Sequence, residues 1–275
     1  MNRKKTATWV IIVLVVLVIA IIIVASCGIA HPSRTYITKY IYPEGAVLDT
    51  TLTELPEFRE GEILIVHDGY VSSYNPEELS PNWVAYNLTR EEIAGENARN
   101  GSFKADPAYP GRQASNQDYT RSGYDKGHLA PAADMKWATT AMTESFYFTN
   151  IAPQSPKLNR YYWLAAEEMT REMADRYGNV WVISGPVFGD GSDAIGGGVS
   201  VPRAFFKALM AYDGTKYTSI AFLMYNNDED NAMEKRMLSV DALEDSLGLD
   251  LFHNLDRKIQ NVSESCVHPE DWGLQ

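Results

Sequence analysis

Cysteine is nearly absent: Cys27 and Cys266 are the only two in 275 residues. Two thiols cannot build a disulfide framework or a cysteine zinc site. Histidine is sparse too, scattered at 31, 67, 128, 253 and 268, and no His-Glu-x-x-His run occurs. That excludes the common zinc-peptidase arrangement. Basic charge is in deficit, with 24 Lys+Arg against 36 Asp+Glu and a formal net charge of −12. On its face this argues against a bulk basic nucleic-acid binder. There is no internal repeat and no low-complexity tract. The Gly196-Gly197-Gly198 run reads as a loop, without the strand-turn-helix context of a phosphate cradle. What is present is an ordinary globular balance, 45% hydrophobic and 22% charged, which excludes a disordered or fibrous chain. The length suits one domain of roughly 200 residues plus an extension.

The extension is N-terminal. Arg3, Lys4 and Lys5 precede 17 consecutive apolar residues, Trp9 to Ala25. With Ser26 to Ala30 this approaches the roughly 20 residues a helix needs to span a bilayer. The basic flank predicts a cytoplasmic N-terminus and an extracytoplasmic, periplasmic or cell-surface body held at the membrane. Val24-Ala25-Ser26-Cys27 also resembles a bacterial lipobox, so an uncleaved anchor and a lipoprotein signal peptide both stay open. The organisation expected is an anchor or signal over 1–27, a spacer over 28–60, one domain over 61–262 and a tail over 263–275. Cys266 is left as a free thiol or an intermolecular bridge.

The body reads as α+β. Ile63 to Val66 is a β-branched run, Asp68-Gly69 a hairpin turn, and Tyr70 to Tyr74 the returning strand. Further strands are expected at Asn82–Leu88, Ser145–Asn150, Val180–Ser184, Ala204–Tyr212 and Thr218–Met224. Arg160 to Tyr177 contains no Gly or Pro and stops at Gly178, which predicts the main helix. Ser239 to Leu247, opening on a serine cap, predicts a second.

The chemistry concentrates in one stretch. Tyr124-Asp125-Lys126-Gly127-His128-Leu129-Ala130-Pro131 is followed by Asn150-Ile151-Ala152-Pro153-Gln154, then by Leu158-Asn159-Arg160 and a helix carrying Glu167 and Arg171. Any one piece alone reads as a solvated turn or an exposed i,i+4 pair. Together they resemble the DNA/RNA non-specific endonuclease family of ββα-metal nucleases, whose pattern is Asp-Arg-Gly-His, then Asn-x-x-Pro-Gln, then an Asn opening a helix with Glu and Arg. Supporting likenesses include Tyr74-Asn75-Pro76, Trp83 to Tyr86, Ser184 to Phe188, Val201-Pro202, Phe206-Lys207 and Phe222 to Met224. The resemblance spans about residues 62–255. It implies a mixed, mainly antiparallel central sheet with a ββα-metal active-site motif, set behind the N-terminal helix. It also implies a metal-dependent endonuclease acting on DNA and/or RNA with little sequence preference, leaving 5′-phosphate and 3′-hydroxyl ends.

The residue types suit that reaction. An imidazole titrates near pH ~6.5 and is mostly neutral at working pH, so His128 is suited to deprotonate water. Mg²⁺ prefers oxygen ligands and keeps several waters, so one amide oxygen can hold it. The resemblance implies Asn159 as that ligand, Glu167 holding metal-bound water, Arg171 on phosphate and Asn150 supporting the site; Mn²⁺ is a workable substitute for Mg²⁺. Glu167 and Arg171 follow Asn159 by eight and twelve residues, about 80° and 120° round a helix, so all three share a face. Asp125 is expected to orient the loop without touching metal. Arg99, Lys126 and Arg160 are candidate phosphate contacts. Lys126 replaces the family's usual Arg, keeping the charge but losing the bidentate fork. Tyr161 stands where the family often has Gly, and its ring would narrow the groove or stack on a base.

A second reading keeps the same fold as a catalytically weak or inactive, membrane-tethered surface protein that binds nucleic acid. The retained set His128, Asn159, Glu167 and Arg171 argues against it, since binding alone needs no such set. The sequence names no protein inhibitor and no oligomeric state. The charge deficit also proves uneven: residues 99–176 carry 10 Lys+Arg against 9 Asp+Glu, whereas 1–98 carry 7 against 12 and 177–275 carry 7 against 15. The motif-bearing segment is therefore nearly neutral, and loose, salt-sensitive binding of a polyanion is expected.

Overall fold

In a computed structural model, the structure describes residues 40–275. The 1–27 anchor or signal and the first part of the expected spacer lie outside the described residues. An eight-stranded sheet runs β1 (Tyr40–Tyr42), β2 (Ile63–Val66), β3 (Val71–Asn75), β4 (Ser80–Thr89), β7 (Asn179–Val187), β10 (Ala204–Tyr212), β11 (Tyr217–Tyr225) and β12 (Met237–Leu238). Only the β1–β2 pair is parallel; every other neighbour is antiparallel. Two small pairs stand apart: β5 (Asp125–His128) with β6 (Ile151–Gln154), and β8 (Ala194–Ile195) with β9 (Val199–Ser200). The architecture is mixed α+β around a mainly antiparallel sheet.

Side-chain alternation divides the sheet's two faces. Val84, Tyr86, Leu88, Val182, Phe205, Leu209 and Phe222 join one core, which the helix Leu164–Tyr177 covers with Ala166, Met169 and Met173. Trp83, Ala85, Ile183, Phe206, Ala208 and Met210 join the other, covered by Val240 and Leu243 of the helix Val240–Leu247. That helix starts where Ser239 accepts a hydrogen bond from the Ala242 amide and ends at left-handed Gly248. A Cβ is disfavoured at Gly248's φ of +59°, which is why the chain turns there.

The expected strands at Ile63–Val66 and Ala204–Tyr212 occur with those bounds, and the others lie within a few residues except one. Ser145–Asn150 is not a strand. Ser145 caps the helix Thr139–Glu144, Phe148–Asn150 is a 3₁₀ turn, and the extended backbone starts only at Ile151. The aromatic run Phe146-Tyr147-Phe148 imitates β propensity, but Asn150 Nδ2 donating to Ser145 O (2.7 Å) closes the turn. The main helix also differs at its start. Leu158–Trp163 forms a wide π turn before the α-helix Leu164–Tyr177 begins, so the 100°-per-residue reckoning from Asn159 does not hold.

Residues beyond the expected domain limits are also packed. In the 28–60 stretch, Ile41 of β1 and Leu55 pack into the core cluster around Trp83. In the 263–275 stretch, Trp272 is fully buried beside Tyr177 and Met173. An aromatic so placed belongs to the core rather than to a loose tail.

Candidate active site

The hairpin β5–β6 carries the first group of residues. Asp125 faces Gln154 and His128 faces Ile151 in its register. Gly127 is obligatory here, because a Cβ would lie 2.1 Å from Gln154 Oε1. The backbone after His128 is fixed from two directions. Trp163 Nε1 donates to His128 O (3.1 Å), and the Leu129 amide donates to Asn150 O (3.1 Å). Asn150, fully buried, accepts from the Ala130 amide (2.9 Å) and donates to Ala130 O (2.8 Å). It therefore braces the bend that presents His128 and does not face the open cleft.

The His128 ring lies against Phe146 and Phe103, with centroids 5.2 and 5.3 Å away. Its Nε2 is buried and meets no hydrogen-bond partner among the described residues. Burial pushes the imidazole pKa down to about 3, and Arg99 adds to the effect. The ring is thus a neutral base with a lone pair uncommitted to the protein.

Beside it opens a cleft of about 290 Å³ lined by Phe103, Tyr119, Tyr124, Asp125, Lys126 and Asn159. Asn159 Nδ2 donates to Asp125 Oδ2 (3.1 Å), which leaves its Oδ1 as the acceptor turned from that bond. Arg160 forms a two-pronged pair with Asp125, at 2.7 Å on each oxygen, and holds that carboxyl below its usual range. Asp125 thus holds both Asn159 and Arg160. Arg160, a candidate phosphate contact, pairs here with Asp125. Lys126 Nζ sits 4.7 Å from the Phe103 ring centroid and 5.9 Å from that of Tyr119. Tyr161 is 67% exposed beside Asn159.

Glu167 and Arg171 belong to a second group, part of which sequence reasoning missed. Arg171 Nη1 donates to buried Asp134 Oδ1 (2.8 Å), and Tyr86 Oη donates to the other oxygen (2.8 Å). Lys207 is fully buried, donates to Ser184 Oγ (2.9 Å), and lies 4.6 Å from the Trp163 ring centroid. Burial drives the Glu167 carboxyl up, and Lys207 pulls it back; burial likewise drives the Lys207 ammonium down, and Glu167 and Asp134 restrain it. Arg99, exposed over Phe146 at 5.4 Å, acts electrostatically on both His128 and Glu167 and so links the two groups. The signal for Lys207 was available: it is the lone charge within the otherwise apolar run Ala204–Ala211 of β10. Asp134 gave no such signal.

A third buried cluster was also missed. His67 Nε2 lies 3.0 Å from Asp106 Oδ2 and its Nδ1 3.8 Å from Glu144. Thr149 Oγ1 donates to Asp106 Oδ2 (2.6 Å). Burial alone would lower the His67 pKa, but Asp106 and Glu144 raise it to about 9. This histidine is a cation that ties the 103–113 loop to the sheet.

The donor set at the cleft fits a hard cation: the Asn159 amide oxygen, oriented by the Asp125 carboxylate. Neither sulfur nor an imidazole lines the cleft, so its lining does not suit a soft metal.

Comparison with known proteins places these features in context. The family profile for DNA/RNA non-specific endonucleases matches residues 53–258. Human mitochondrial endonuclease G is 33% identical over 198 residues, covering 66% of this chain and 67% of its own length. The mitochondrial nuclease of Saccharomyces cerevisiae is 33% identical over 211 residues, covering 68% and 64%. Nuclease C1 of Cunninghamella echinulata var. echinulata is 32% identical over 218 residues, covering 73% and 86%. A crystal structure of the EndoG/EndoGI complex, concerned with EndoG inhibition, superposes with a TM-score of 0.69 at 30% identity over 75% of this chain and 91% of that chain. The chain spans less than two thirds of the yeast relative's length and, at 63%, of the zebrafish nuclease EXOG's.

These relatives correct one expectation. The extracytoplasmic, membrane-held body is not supported: the human, yeast and zebrafish relatives are mitochondrial nucleases. Among the described residues no helix is long and apolar enough to cross a membrane. The apolar run 9–25 and its lipobox-like end lie outside the described residues.

Proposed function

The chain belongs to the DNA/RNA non-specific endonuclease family, and from that premise we propose that it is a Mg²⁺-dependent endonuclease hydrolysing DNA and/or RNA phosphodiester bonds with little sequence preference. The observation that carries the reading is a neutral His128 whose ring packs on Phe103, the residue that together with Asn159 lines the cleft. His128 takes a proton from water as the water oxygen attacks phosphorus. The bond to the 3′ oxygen breaks and that oxygen takes a proton from solvent, while His128 returns its own to solvent, giving a 5′-phosphate and a 3′-hydroxyl. Asn159 would hold Mg²⁺, with Glu167 reaching it through water; when bound, the ion supplies positive charge to the phosphate and the leaving oxygen. Mn²⁺ offers the same oxygen preference.

Asn150 and Trp163 keep the His128 backbone in place. Asp125 orients Asn159 and is itself held by Arg160. Arg99 and Lys126 meet the substrate backbone as cations, while Arg171, partly accessible beside Asp134, does so from the second group. A catalytically inactive binder would gain nothing from gathering Glu167 and Arg171 around buried Asp134 and Lys207, and the enzymatic reading is favoured on that ground.

The test is the purified chain on plasmid DNA and on RNA, with Mg²⁺, with EDTA, and as His128→Ala. Cleavage by the wild type that both EDTA and the substitution suppress is expected. A wild type that cuts neither substrate, or a His128→Ala variant that cuts equally well, would sink the proposal.

A further inference from the structure

The face of the sheet opposite His128 carries a cluster that the proposed nuclease chemistry does not use. Asp241 and Glu244 lie one turn apart on the helix Val240–Leu247, and so on one side of it. Glu264 caps the end of the helix Arg257–Ser263. The Asp241 amide donates to Glu264 O (3.1 Å), which brings the two helices together at this point. One carboxylate oxygen from each of Asp241, Glu244 and Glu264 lies within 4.8 Å of the other two.

Acidic residues cluster on many surfaces without consequence, but Glu264 is different. It is 2% exposed, and its Oε1 is buried with no hydrogen-bond partner among the described residues. Leaving a buried carboxylate oxygen unpaired is costly. The Glu244 Oε1 is taken by the Leu251 amide (2.6 Å). The nearby base, Arg257, is committed to Asp250 (2.7 Å) and Gln260 (2.9 Å). Glu264 Oε1 is thus left without a donor among the described residues.

We propose that Asp241, Glu244 and Glu264 bind a hard divalent cation of calcium size that staples the two helices of this face together. The donors are all carboxylate oxygens, the set that Ca²⁺ prefers over softer metals. Three oxygens that all lie within 4.8 Å of one another need only small side-chain adjustments to meet one Ca²⁺ at about 2.3–2.6 Å. The site is independent of the cleft. Val240 and Leu243 pack with Phe206, Ala208 and Met210, whereas Leu129, Ala130 and Trp163 pack on the other side of the same strands with Phe205 and Leu209.

The experiment uses the full chain carrying Asn159→Ala, so that the cleft's proposed metal ligand is removed, stripped with chelator and titrated with Ca²⁺. A rise in Tm of about 5 °C at ~100-fold excess over Kd is expected. Glu264→Gln, added to that background, should abolish the rise. Asp241→Asn, on the first turn and a milder change, should weaken it, which keeps the test decisive where the glutamine variant fails to fold. A Tm that Ca²⁺ leaves unchanged, or raises equally in the foldable variants, overturns the proposal. Calorimetric titration should count one Ca²⁺ per chain in Asn159→Ala, and a count of zero also overturns it.

Discussion

The two faces of the eight-stranded sheet are built from alternate residues of the same strands, yet they bury different things. Phe206, Ala208 and Met210 of β10 look toward Val240 and Leu243, a layer of purely apolar contacts. Phe205 and Leu209 look the other way, and between them Lys207 places an ammonium near Glu167 and Asp134. Along β10 the first face needs only to exclude water. The other also holds charges out of water, which costs free energy unless they compensate one another. Stability and chemistry are thus separated by a single strand's pleat, and substitutions on the two faces should have separable effects.

The largest expected effect is on the chemical face. His128→Ala should lower cleavage on the order of 10²–10⁴-fold while leaving Tm near the wild-type value, checked by plasmid nicking rates and calorimetry on one preparation. The converse belongs to the apolar face. Leu243→Ala should cost about 2–5 kcal/mol of unfolding free energy in denaturant titration, with kcat per folded molecule unchanged; a fall in kcat would show that the faces are coupled.

Lys207→Met tests the contrast within one strand. Loss of the buried ammonium leaves Glu167 and Asp134 less compensated, so a stability cost of about 3 kcal/mol should come with a lower kcat and a smaller change in KM. If stability falls and kcat does not, Lys207 is a purely structural cation.

The smallest effect concerns two histidines of opposite sign. His67 has its folded pKa raised to about 9, so its contribution is complete below the unfolded value near ~6.5 and is lost as pH rises through 9. His128 has its folded pKa lowered to about 3, so the unfolded chain alone takes up that proton as pH falls below ~6.5, and stability drops on acidification. In Tm measured across pH, His67→Gln should remove part of the alkaline decline and leave the acid side as it is. An unchanged alkaline limb would show that His67 is not charged in the native protein.

Much of this was legible in the chain. The β10 run Ala204–Tyr212 and the capped helix from Ser239 follow from alternation and cap chemistry, which are local. The candidates His128, Asn159, Glu167 and Arg171 come from the resemblance to the family's motifs. The misreadings share a cause. At Ser145–Asn150 the aromatic residues predict extended chain, but Asn150's bonds to Ser145 and Ala130 close a turn that no propensity encodes. The pairing of Arg160 with Asp125, thirty-five residues earlier, was not legible either, because only the fold brings the two together. His67, Asp106 and Asp134 carry no local pattern at all, because their partners come from distant segments.

The sequence by itself determined which strands alternate and where the principal helices end, since each depends on residues close in the chain, and it supplied the candidates for the proposed hydrolysis. The tertiary structure decided which of those side chains are charged, which are already engaged and which face each strand residue serves. Those properties depend on burial and on long-range partners, and they arise only when the β5–β6 hairpin, the wide turn at Leu158–Trp163 and the sheet are packed together.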